Sequence, residues 1–83
     1  MDMNKIMNGR PRIAVLDPNT LAVLGLKNIL QNVLPIMEVD TFYSFDEFLT
    51  ADPDSFFHYF AAQTVVLEHR AFFTERKQKT ILL

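Results

Sequence analysis

Asp17 is the side chain best placed for chemistry in this sequence. It follows the apolar run Ile13-Ala14-Val15-Leu16 and precedes Pro18 and Asn19. Such a run predicts a strand buried on both faces. Its acid then emerges at the carboxyl end, where α/β proteins gather their ligands. A carboxylate there can help hold a divalent cation, but a hard cation needs several oxygen ligands and Pro18 offers none. Asp17 therefore also has a structural reading, as an acid that favours the turn and the dipole of a following helix. The other polar candidates have less company. His58 and His69 share no metal-ligand or catalytic spacing with an acid or nucleophile. Glu68 reads as an acid at a helix start. Arg76, Lys77 and Lys79 read as a solvated basic face rather than a phosphate-binding set. These residues predict no metal site and no cofactor.

Composition narrows the class further. Eighty-three residues make one small domain, near the size at which a core becomes marginal. Eight phenylalanines compensate with large buried area per residue. The absence of cysteine removes disulfides and thiolate metal sites. A net charge of −2 gives no electrostatic reason to bind nucleic acid or acidic lipid directly. No apolar run has the length of a membrane span, and no signal-peptide core is present. The expectation is a soluble cytoplasmic protein with no membrane association.

The elements that would position Asp17 follow from the apolar pattern. Residues 1–11 read as a flexible leader, broken by Gly9-Arg10-Pro11. Arg12–Leu16 is the opening strand. Asn19-Thr20 can cap a helix that runs to Leu34 and ends at Pro35. Ala22, Leu26, Ile29, Leu30 and Val33 form its expected apolar face, with Gly25 allowing a close approach to the sheet. Met37–Tyr43 alternates as an edge strand would. Ser44 and Glu47 have capping-box spacing, opening a short helix to about Ala51 that buries Phe45, Phe48 and Leu49. Asp52-Pro53-Asp54 ends it. Phe56–Phe60 is the preferred third strand, with Val65–Glu68 as the competing choice. Glu68–Gln78 reads as a helix, and Lys79–Leu83 as the entry to a buried fourth strand. Alternation of this kind predicts a parallel sheet with helices between its strands. An apolar strand at the end of the chain suggests a sheet truncated after its fourth strand, or one that pairs across a homodimer.

Over Arg12–Leu83 this order resembles the first part of the receiver domain of bacterial two-component response regulators. The likeness rests on Arg-Ile-Ala-Val-Leu-Asp-Pro-Asn at the first strand and Lys-Thr-Ile-Leu-Leu at the fourth. Phe57-His-Tyr-Phe and Leu67-Glu-His are similar to divergent receivers in regulators that carry a helix-turn-helix. The resemblance implies a flavodoxin-like three-layer α/β fold. It also implies paired acids after the first strand for Mg²⁺, and a phosphoacceptor aspartate closing the third. Asp17 matches one acid, but Pro18 stands at its partner's position. Counting along the third strand puts Tyr59 at the acceptor position, or Glu68 if Val65–Glu68 is that strand. The implied protein is a non-enzymatic pseudo-receiver, acting through homodimerisation or docking on a C-terminal DNA-binding output domain outside this chain. Two alternatives remain: a residual Mg²⁺-dependent phosphoacceptor, and a free-standing α/β interaction module.

Overall fold

The computed structural model describes residues 11–83, so the leader expected over 1–11 lies, apart from Pro11, outside the described residues. β1 (Arg12–Leu16) takes an inner place in a four-stranded parallel sheet. β2 (Glu38–Phe42) lies on one side of it and β3 (His58–Ala61) on the other, with β4 (Thr80–Leu82) beyond β3. The order 2-1-3-4 is flavodoxin-like, as the resemblance implies, and its strands are parallel, as the alternating pattern predicts. β2 is an edge strand, and the third strand is the aromatic segment. The competing segment Val65–Glu68 is helical.

Helices cover both faces, giving three layers. α1 (Thr20–Val33) packs Val23 and Leu30 onto Ile13, Val15 and Val39, with Leu26 partly buried beside them. Asn19 caps it, accepting from the Ala22 amide at 3.1 Å. The expected face was one step out of phase. Ala22, Ile29 and Val33 are exposed, and Val23, unpredicted, is fully buried. The cause lies in the helix itself, which is apolar on most sides, so periodicity alone leaves its rotation open. Packing selects the residues that land on β1 and β2. Gly25 has nothing within 4 Å of the position a Cβ would occupy, so it does not serve close approach.

The opposite face is aromatic. α2 (Phe45–Leu49), α3 (Gln63–Glu68) and α4 (Arg70–Glu75) enclose Phe42, Phe48, Phe56, Tyr59 and Phe73 above Ala14, Leu16 and Ala61. The rings meet mostly edge-on or tilted. Phe48 to Tyr59 is 5.0 Å at 84°, and Phe42 to Phe56 is 5.7 Å at 83°. These are the favoured quadrupole arrangements. Alanines on the strands below leave room for the rings.

Three further expectations need correction here. Leu49 is exposed rather than buried, because α2 ends at that residue and only Phe48 points fully into the cluster. The helix expected over 68–78 is shorter, Arg70–Glu75 with a 3-10 turn at Lys77–Lys79, and an unexpected helix, Gln63–Glu68, precedes it across a break at His69, whose ψ of 50° is not helical. His69 stacks on Phe45 at 3.7 Å there, while Val65 and Phe73, on either side of the break, both reach the core. β4 is only partly covered, with Ile81 and Leu82 exposed, because no strand lies beyond it among the described residues.

Candidate functional site

The carboxyl ends of β1, β2 and β3 converge on an open cleft of about 420 Å³. Pro18, Ser44, Phe45, Asp46, Glu68 and His69 are among its lining residues. This is where an α/β fold of this order is expected to hold a ligand. Asp17 stands beside it at the end of β1, half-buried. Its amide donates to the Phe42 carbonyl at 3.1 Å, continuing the β1–β2 ladder. One carboxylate oxygen accepts from the Asn19 amide at 2.8 Å, two residues on. The acid thus closes an Asx-type turn, and Asn19 in turn caps α1. Its chemistry is spent on the junction between strand and helix.

The partner residues at this end do not complete a reactive set. Pro18 has no ligating side chain. On the far side of β1, Leu16 pairs with Ala61, and the Ala62 amide donates to the Leu16 carbonyl at 2.9 Å. Two alanines therefore occupy the end of β3 opposite Asp17. Tyr59, placed by counting at that end, sits instead in mid-strand opposite Ala14. Its ring is fully buried, and its hydroxyl donates to the Pro53 carbonyl at 2.7 Å. The strand runs from His58 to Ala61 rather than from Phe56 to Phe60, so Tyr59 is its second residue. Glu68, the other candidate position, ends α3 and is exposed. Among the described residues, no three His, Asp or Glu side chains cluster as a metal ion would need.

The cleft has its own order. Ser44 accepts from the Glu47 amide at 3.1 Å, and Glu47 reaches back to the Tyr43 amide at 3.2 Å. The expected capping box is therefore built, with its return bond one residue early. The imidazole of His69 lies flat on Phe45, 9° from parallel. Such a wall can hold a flat or apolar group against it, but it supplies no aligned nucleophile and base.

Most of the described charge pairing lies at the other end of the sheet. Arg12, at the start of β1, contacts Asp40 through two nitrogens at 2.6 and 3.2 Å, and donates to Ser55 at 3.1 Å. Its guanidinium also lies 4.4 Å from the centre of the Phe56 ring. Arg76 donates to Asp54 at 2.8 Å and stacks on Phe72 at 3.9 Å. Asp54 is held below the ordinary carboxylate value, first by the hydrogen bond from Arg76 and then by the nearby positive charges. The Tyr59 phenol is pushed up to about 12, chiefly by burial and next by the negative charge of Asp54. The only signal in the sequence was the basic residue leading into an apolar run. Arg76 and Lys79, read there as a solvated basic face, in fact contact Asp54: the ammonium of Lys79 is 3.4 Å from its carbonyl oxygen.

Histidine 58 carries a different kind of signal. Its Nδ1 is the one buried side-chain nitrogen or oxygen, among the described residues, with no hydrogen-bond partner. The residue belongs to no group of three His, Asp or Glu side chains that could hold a metal ion among the described residues. No helix among the described residues is long and apolar enough to cross a membrane. Comparison with known protein families, characterised proteins and solved structures finds no match to this chain. Fold and site geometry therefore carry the functional argument.

Proposed function

We propose that this chain is a receiver-like regulatory module of a transcriptional response regulator that has lost phosphoryl transfer. In this reading it works by homodimerisation or by docking on a DNA-binding output domain. The observation that carries the proposal is the carboxyl end of the sheet. Asp17 is committed to its turn, Pro18 follows it, and Ala61-Ala62 close the neighbouring strand. Phosphoryl transfer to a side chain needs an in-line acceptor and a cation that neutralises the transferred charge. The residues present do not fit Mg²⁺, since Asp17 has an oxygen already engaged and, among the described residues, Asp46 and Glu68 of the cleft do not gather with it into a ligand set. The flavodoxin-like sheet and the element order support the likeness to a receiver, and the altered strand ends favour the non-catalytic form.

Acetyl phosphate and Mg²⁺ provide the test. Intact mass after incubation is expected to stay unchanged. A stable gain of about 80 Da, one phosphoryl group, on any side chain would overturn the proposal.

A further inference from the structure

The cleft at the carboxyl ends of the sheet is charged with one sign only. Asp46, in the first turn of α2, and Glu68, at the end of α3, both line it and are exposed, and no lysine or arginine is among its lining residues. Neither acid has a cationic partner among the described residues. Phe45 and His69 line the same space as a parallel ring pair, 3.7 Å apart and 9° from coplanar, with the imidazole partly exposed. A volume of about 420 Å³ suits a small organic molecule, whose sites begin at about 300 Å³. The lining residues all fall between Pro18 and His69, and β4, two strands from β1, contributes none. The cleft is therefore a feature of the inner sheet and not of its open edge.

We infer that this cleft binds a small, flat organic cation, such as a protonated aromatic amine or amidine. This deepens the proposed function and rests on it, by naming the chemistry of the signal that the module reads. The two unpaired acids set the sign of the ligand's charge, because a cation entering beside them meets no competing positive side chain. The ring pair sets its shape. A planar cation lies flat against an aromatic face, where a rounded one makes less contact. The spread of the acids sets its kind. Among the described residues no three His, Asp or Glu side chains gather as a bare divalent ion requires, so a delocalised organic charge fits better. An anionic ligand is disfavoured by the same two carboxylates.

The probe is benzamidine, titrated into the 83-residue chain labelled with nitrogen-15 and followed at the amide resonances of Ser44, Asp46, Glu68 and His69. Benzoate presents the same ring with the opposite charge, and cyclohexylamine presents the charge on a ring that is not flat. Benzamidine is expected to shift these resonances to saturation. Benzoate should bind more weakly by about tenfold or more, and cyclohexylamine by about threefold or more. The double variant Asp46→Asn/Glu68→Gln alters only exposed side chains and should remove the preference for benzamidine over benzoate, with circular dichroism unchanged. His69→Leu should bring benzamidine down to the level of cyclohexylamine; if that variant does not fold, the double variant decides alone. Several results would each overturn the inference: no saturable shift, shifts confined to resonances outside the cleft, benzoate or cyclohexylamine binding as well as benzamidine, or a double variant that keeps the charge preference. A phosphorylated mass would sink the proposed function without touching the benzamidine titration, so the two failures are separable.

Discussion

At the amino end of the sheet Arg12 spans Asp40 and Ser55, Arg76 binds Asp54, and the Tyr59 hydroxyl reaches Pro53. At the carboxyl end Asp17 bonds to an amide two residues away, with alanines opposite it. The arginine contacts of the first set join segments far apart in the chain; the second only shapes a turn. In an open α/β sheet the carboxyl end is the customary ligand end. Here most of the paired charge has gone to the opposite end, where it ties β1, β2 and the approaches to β3 and β4 together. Polar side chains in this protein do more for the sheet's assembly than for its cleft.

Substitutions at the two ends test that contrast, and Arg12→Ala should have the largest effect. It removes a two-nitrogen ion pair, a hydrogen bond to Ser55 and a cation–ring contact, at a cost of about 1–3 kcal/mol in chemical denaturation. A loss under about 0.5 kcal/mol would show that the amino end is not a clamp.

Tyr59→Phe comes next. It deletes one buried hydrogen bond, worth about 1 kcal/mol at neutral pH. It also acts on the alkaline limb. Below the ordinary value of 10.0 the phenol is neutral in both folded and unfolded chains, so its contribution is complete. Between there and about 12, only the unfolded chain ionises, and stability falls as pH rises. The variant should flatten this part of the limb, read from denaturation midpoints at rising pH. An unchanged slope would mean that the phenol is not held neutral by its site.

Asp54→Asn is expected to do less, because the carboxylate is exposed. Its lowered value means that the Arg76 pairing contributes above the ordinary carboxylate range and fades as pH falls through the folded-state value. The variant should therefore lose a little stability at neutral pH and show a shallower acid limb. A steeper acid limb would reverse the assignment.

Asp17→Ala should change least, by about 0.5 kcal/mol or less, since one exposed turn bond is lost. Magnesium titration of parent and variant by calorimetry should give the same trace. A binding heat present only in the parent would restore the carboxyl end as a working site and erase the contrast between the ends.

Much of this architecture is legible from local pattern. Apolar runs, the Pro35 stop, the Ser44 cap and strand–helix alternation each act over a few residues, so the parallel order of the sheet can be read directly. The isolation of Asp17 can be read too, because Pro18 is its immediate neighbour. Tyr59 lies in mid-strand rather than at the strand's end for a reason of register. Aromatic residues begin at Phe56, but Phe56 belongs to the approach and the ladder to β1 starts at His58.

The amino acid order by itself determined most element types, the parallel alternation and the absence of a second acid next to Asp17 in the chain, since these depend on neighbours in the chain, but not the helix Gln63–Glu68. Tertiary structure decided which side of α1 is buried, because a helix apolar on most sides takes its rotation from the strands beneath it. It also decided that Arg12 meets Asp40 and Arg76 meets Asp54, pairs separated by 28 and 22 residues. No periodicity links residues so far apart. Only the parallel register, which brings the starts of the strands together, makes them neighbours.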